Sequence, residues 1–246
     1  GRACARRPMP DDRPPLIEVR DVVKDYRSLR PLRLKALQVQ EGEALALVGF
    51  DLAMAEVLVN MLTAATLPDS GEVSVFGRST REIADADTWL SSLDRFGIVT
   101  GRAVLLDGMT VEQNLAIPLS LDLHALQTSV RDRVQALAQE AGLSNEELSM
   151  PLAAASPRTR LRLHLARALA PDPPVILAEH PNALVDPADA LPFAADYARI
   201  VASRRLTSVV LTADRRFAAA CASRILTLAP ATGELRADSL WRRLLG

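Results

Sequence analysis

Lysine is almost missing from this chain. Lys24 and Lys35 are the only two in 246 residues, and neither follows a glycine, so no register offers the Gly-Lys pair that reaches terminal phosphates in a phosphate-binding loop. Cysteine is as scarce: Cys4 and Cys221 stand too far apart for a disulfide framework or a metal site, which suits a reducing compartment. Net charge is scarce too, at minus 1, which argues against a general nucleic-acid binder. No run of 18 apolar residues is present to cross a bilayer, so direct membrane insertion is not expected and membrane contact falls to a partner. The first residues carry no apolar h-region of a secretory signal, and there are no internal repeats or low-complexity tracts.

What is present is a core. With 49% hydrophobic residues, the chain can bury a large interior as one domain of two lobes or as two small domains. The remaining 27 basic residues are arginines, a bias that together with abundant alanine looks like GC-rich coding and weakens arguments from arginine alone. Residues 1–14 read as a disordered tail, with Met9 as a native start, and residues 15–240 as the folded unit. Leu16 to Val23 alternates as a half-buried strand that Leu32 to Val39 can pair with. Ala44 to Val48, Val175 to Ala178 and Ser208 to Leu211 are short continuous apolar runs, the pattern of parallel strands buried on both faces. Helices are expected from Glu56 to Ala65, in a helix-rich stretch from about Trp89 to Ala154, through residues 156–170, and from Ala188 to Arg204.

Residues 45–56, LALVGFDLAMAE, have the strand, glycine and apolar helix of a phosphate-binding loop. The loop pattern is Gly-x-x-x-x-Gly-Lys-Ser/Thr, whose backbone N–H groups cradle phosphates while the hydroxyl holds Mg²⁺. Counted from Gly49, the second glycine falls on Met54, the lysine on Ala55 and the hydroxyl on Glu56. A carboxylate about 4 Å from a phosphate charge costs roughly 4 kcal/mol at an effective dielectric near 20. That is nearly three decades of affinity at about 1.4 kcal/mol per decade. The Gly49 to Ala55 loop is therefore not expected to form a phosphate cradle.

Several further segments stand in a recognisable order. Residues 165–170 (LARALA) run into 173–181 (PPVILAEHP) and then Asn182 to Asp186 (NALVD), with TLPDSGEVSVFG at 66–77 and LLDGMTVEQNLAIPL at 105–119. From about Leu16 to Arg236 this order resembles the nucleotide-binding domain of ATP-binding cassette (ABC) transporters. The resemblance implies an α/β fold: a RecA-like P-loop NTPase core with an antiparallel β lobe and an inserted helical lobe.

Through the resemblance, each functional position can be checked for the group its chemistry needs. The Walker B aspartate falls on Glu179, the catalytic glutamate on His180, the Q-loop glutamine on Gly101 and the switch histidine on Ala213, with Asp214 beside it. None of these four is expected to be catalytic, and no metal is expected. The vestigial nucleotide-binding positions are Gly49, Met54, Ala55, Glu56 and Tyr26, the last where an aromatic stacks on adenine in the family. The signature motif falls on Ser156, Pro157 and Arg158. Ser156 followed by proline should still cap a helix, although proline removes one N–H donor and Arg158 adds bulk. Asp186 is the D-loop-like residue. Arg158, Arg160 and Arg162 read as a solvated basic face, His164 as a helix-flank residue and His124 as a loop residue.

The family pairs two such domains head to tail, so loss at both the P-loop and the signature compromises both composite sites. The resemblance with these losses implies a pseudo-ATPase that needs no cofactor: a structural or regulatory subunit, cytoplasmic and peripheral at the inner face of the membrane. Its partners would be a transmembrane permease, docked around Phe96 to Leu119, and a second ABC-type subunit or another copy of itself. The alternative is an ATP-hydrolysing exporter subunit of lipid or lipoprotein type, which would bind ATP with Mg²⁺.

Overall fold

The computed structural model describes residues 14–83, 85–123 and 125–237. The expected tail, apart from Pro14, and His124 lie outside the described residues. In chain order the elements are β1 (Ile17–Lys24), β2 (Leu32–Val39), β3 (Ala44–Val48), α1 (Leu52–Leu62), β4 (Ser70–Val75), β5 (Arg78–Ser79), α2 (Ala86–Leu93) and β6 (Phe96–Val99). They continue with α3 (Val111–Ala116), α4 (Thr128–Glu140), α5 (Asn145–Ser149), α6 (Pro157–Leu169), β7 (Val175–Glu179), α7 (Pro187–Arg204), β8 (Thr207–Thr212), α8 (Arg215–Cys221), β9 (Arg224–Ala229) and β10 (Glu234–Ala237).

Two sheets result. The smaller, β2-β1-β4-β5, is antiparallel throughout. The larger runs β10-β9-β3-β8-β7-β6, parallel except for β10 at its edge. The apolar runs form its centre because they are buried on both faces. Val175 and Leu177 of β7 and Val209 and Leu211 of β8 face a core shared with α1 and the antiparallel sheet. Ile176, Ala178 and Val210 face the opposite core, built with α3, α4, α6 and α7. A strand with no polar face has nowhere else to go, so sequence pattern and sheet position agree.

Two boundaries differ from expectation. Helix α1 begins at Leu52, four residues before Glu56, because the Asp51 side chain caps it by accepting from the Met54 N–H. The second is the start of the helical insert: Phe96–Val99 forms the short strand that its apolar run FGIV predicts and joins the parallel sheet beside β7, so the insert does not begin at Trp89. Helix α2, just before it, is held to the end of α1, with Trp89 Nε1 donating to the Thr63 carbonyl. The helical insert proper is α3 to α5, and its register is set by two capping boxes, at Thr110 and Ser144.

Candidate functional site

The parallel register brings four strand ends to one rim. Val48 pairs with Thr212, Glu179 with Leu211, and Val99 with Ala178. The segments that follow these strands, 49–51, 100–106, 180–186 and 213–214, therefore converge. Open α/β sheets place their sites at this carboxyl edge.

At the centre of the rim stands Arg102, which sequence reasoning did not single out. Its Nε donates to Glu179 Oε2 at 3.0 Å, its Nη2 to Glu179 Oε1, and its Nη1 to Glu56 Oε1 at 3.2 Å. Thr100 Oγ1 adds a bond to Glu179 Oε2 at 2.7 Å. Glu179 is 7% exposed and Arg102 43%, so the carboxylate is the desolvated partner. The hydrogen bonds to Glu179, then its charge and that of Glu56, raise the Arg102 pKa despite burial. One guanidinium thus ties β6, β7 and α1 together at the two positions that the resemblance assigned to metal ligands. The readable signal was the extra carboxylate at Glu56, aligned with the one retained at Glu179: two acids facing one position favour a cation between them, and Arg102 follows Gly101 directly.

The segment after β3 is short. Gly49 takes φ +91°, a conformation that suits glycine, and an added Cβ would lie 3.1 Å from the Leu228 carbonyl. Asp51 then caps α1, and the Ala55 N–H bonds the Asp51 carbonyl at 2.9 Å. Met54 and Ala55 are therefore helical residues, and Ala55 is fully buried. His180 stands against this turn in a left-handed backbone conformation, φ 44° and ψ 49°. It is 6% exposed, and its Nε2 is buried without a hydrogen-bond partner among the described residues. Burial lowers its pKa, opposed by backbone groups of Asp51 and Phe50 and by the charges of Asp51 and Glu179.

The other expected positions spread around the rim. Gly101 lies under Leu184, whose Cδ2 would be 2.7 Å from an added Cβ, so a glutamine there requires that side chain to move. Ala213 is exposed, while Asp214 caps α8 and Thr212 Oγ1 donates to Asn182 Oδ1 at 2.7 Å. Asp186 is exposed at the N-cap of α7 with no side-chain capping bond. Tyr26 is half-buried against the core beneath the antiparallel sheet.

At α6 the capping expectation holds: Ser156 accepts from the Thr159 N–H, and Pro157 is the first helical residue. The Ser156 and Thr159 hydroxyls lie 2.9 Å apart, and Thr159 Oγ1 donates to Glu147 Oε1 at 2.7 Å. An internal carboxylate therefore reaches this helix start. The expected solvated basic face is corrected: Arg158 is exposed, but Arg160 bonds Asp107 and the Leu152 carbonyl. Arg162, 5% exposed, bonds the Ala141 carbonyl and Asp196, each at 2.6 Å. His164 is likewise no flank residue. It is 7% exposed, and burial, with the nearby charges of Arg167 and Arg160, pushes its pKa down to about 4. These two side chains are buried because α6 packs against β6, α3 and α4.

The family model described as ABC transporter matches residues 32–183, more than half of the chain. The chain belongs to the ABC transporter family. Among curated relatives, it is 28% identical over 214 residues to the methionine import ATP-binding protein MetN of Brucella abortus, covering 87% of this chain and 57% of that protein. It is 32% identical over 214 residues to the phosphonates import ATP-binding protein PhnC of Anaeromyxobacter dehalogenans, covering 84% and 42%. The chain thus spans about half the length of the curated relatives it matches. In fold it is similar to the cassette MJ0796, solved as a dimer in a post-hydrolysis state with ADP and Pi: TM-score 0.74, 24% identity, 91% of this chain and 98% of that one. It is also similar to cbiO1 of Clostridium perfringens, part of the cbiONQ transporter complex: TM-score 0.76, 15% identity, 95% and 92%. The RecA-like α/β core with its antiparallel β lobe is the fold of these cassettes.

The family implies Mg-ATP, and the side chains on this rim fit it poorly. The two carboxylates at the metal positions are already bridged by Arg102, no hydroxyl stands at position 56 and no lysine at 55. Bringing a divalent cation between Glu56 and Glu179 would require breaking three charge-assisted bonds and moving the guanidinium aside.

Proposed function

We propose that this cassette is a non-hydrolysing structural or regulatory subunit of an ABC transport system, seated peripherally on a membrane permease and paired with a second ABC-type subunit or another copy of itself. The observation that carries the reading is the Arg102 bridge between Glu56 and Glu179, a fixed internal cation where the fold's enzymes would hold an exchangeable one. It supports a cassette held in one state without nucleotide. The missing groups at Ala55, Glu56, Gly101, His180 and Ala213 belong to a cooperating set whose losses do not add independently. The named roles of the relatives, methionine and phosphonate import, favour an import system over export of lipid or lipoprotein. No helix among the described residues is long and apolar enough to cross a membrane, which leaves attachment to the permease.

The test is calorimetric titration of the purified protein with Mg-ATP, alongside a phosphate-release assay. The expected outcome is no affinity at millimolar ATP or better and no hydrolysis above blank, with Ala55→Lys leaving hydrolysis undetectable because the water-positioning groups are still absent. Turnover in the wild type that disappears in His180→Ala would overturn the reading in favour of an ATPase.

A further inference from the structure

A second cavity lies at the other end of α1, about 16 Å along the helix axis from the Asp51 cap. It has a volume of about 230 Å³ and sits between the β4–β5 hairpin and α2. Its floor is apolar, formed by Leu62, Val75, Phe76 and Ile83. Its polar lining is cationic and hydroxylic: Arg78 and Arg95 with Thr80, Thr88, Ser91 and Ser92.

The two arginines differ from most others in the chain. Arg95 makes no ion pair among the described residues. Its guanidinium lies flat on the Phe76 ring, 3.4 Å from the centroid, and is held there by an aromatic face rather than by an acid. The ring is itself fixed, because Phe76 (φ 57°) and Gly77 (φ 73°) form the two-residue hairpin turn and Phe76 packs on Phe96 at 5.4 Å. Arg78 meets Glu82 only at 3.6 Å, with both side chains about 60% exposed, and also acts on Asp85 through space. Such a pair contributes little and yields readily to a better anion. Thr80, which lines the cavity, is 2% exposed, and among the described residues its Oγ1 has no hydrogen-bond partner.

We propose that this cavity binds a small phosphomonoester. Two guanidinium groups match a dianion, and their donors together with the Thr80 and Ser92 hydroxyls exceed what the two oxygens of a carboxylate can accept. The apolar floor takes a short hydrocarbon body. The volume lies below the roughly 300 Å³ where pockets for drug-sized ligands begin, which suits a small ester. The inference is independent of the reading given for the Arg102 rim.

The test is calorimetric titration of the whole chain with n-butyl phosphate, inorganic phosphate and butyrate at matched ionic strength, so that screening is constant. Saturable millimolar binding of butyl phosphate, tighter than either control, is expected. Arg95→Gln should weaken it by at least about tenfold, the loss of one charge-assisted contact pair. Thr80→Val should weaken it without lowering the melting temperature, since the hydroxyl supports nothing in the free protein. Should Arg95→Gln fail to fold, Arg78→Gln, at an exposed side chain, replaces it with the same expectation. No saturation in the millimolar range, butyrate binding as tightly as butyl phosphate, or unchanged binding in the arginine variants would each overturn the proposal.

Discussion

Arg102 and Arg162 each grip two parts of the molecule, and they do so in opposite settings. Arg102 is 43% exposed and joins α1 to β7 at the site rim, while Arg162 is 5% exposed and joins the end of α4 to Asp196 of α7. At the rim the arginine answers two carboxylates, Glu179 and Glu56, the second at the position where the resemblance expects a hydroxyl. Inside, the arginine answers the Ala141 backbone carbonyl at the end of α4. The first arrangement changes what the site can bind, and the second fixes how the helical insert sits on the core. The difference teaches that charge in this chain is spent on internal bridges even at the rim, where a nucleotide-binding cassette keeps charge available for its ligand.

The comparison breaks first at Arg162. Arg162→Ala removes a buried side chain, leaves the Ala141 carbonyl without its donor and leaves Asp196 only Arg199 at 3.6 Å, and should destabilise the fold by about 3–5 kcal/mol in denaturant unfolding. A loss below about 1 kcal/mol would mean that the insert is not held there. His164, on the same helix and lining the cleft beside Arg102, gives the next effect. Its pKa falls from 6.5 unfolded to about 4 folded, so the unfolded chain binds the extra proton. Its contribution is complete above pH 6.5 and is lost as the pH falls towards 4, amounting to about 3 kcal/mol. Unfolding measured across that window should show the slope in the wild type and a flatter one in His164→Gln. His180, shifted in the same direction, leaves a residual slope.

Arg102→Ala leaves Glu179, 7% exposed, with Thr100 alone and should cost about 1–3 kcal/mol at neutral pH. The smallest effect is expected at the α6 cap. Ser156→Ala should cost about 1 kcal/mol in the same assay, with α6 still starting at Pro157.

Reading the site from the sequence succeeded where a position's meaning is local. Ser156-Pro157 caps a helix whatever surrounds it, and the family-spaced segments placed Gly49, Glu179 and Gly101 along one rim without coordinates. It failed where meaning depends on what arrives from elsewhere. The start of α1 was missed because a short cap, Asp51, outweighed the spacing of the longer motif. Arg162 and His164 were read as surface because they are polar, yet β6, α3 and α4 pack against α6 and bury both.

By itself the sequence determined the central buried strands and the family, but not β5, β9 and β10 or the order of the strands in the sheets. Continuous apolar runs admit only a doubly covered sheet, and the missing lysine is a fact of composition. Only the tertiary structure decided that Glu56 and Glu179 are bridged by Arg102, three segments that lie far apart along the chain. An ion pair depends on distance in space, to which spacing along a chain gives no direct access, and that distance is set by how β6 and β7 come together in the sheet.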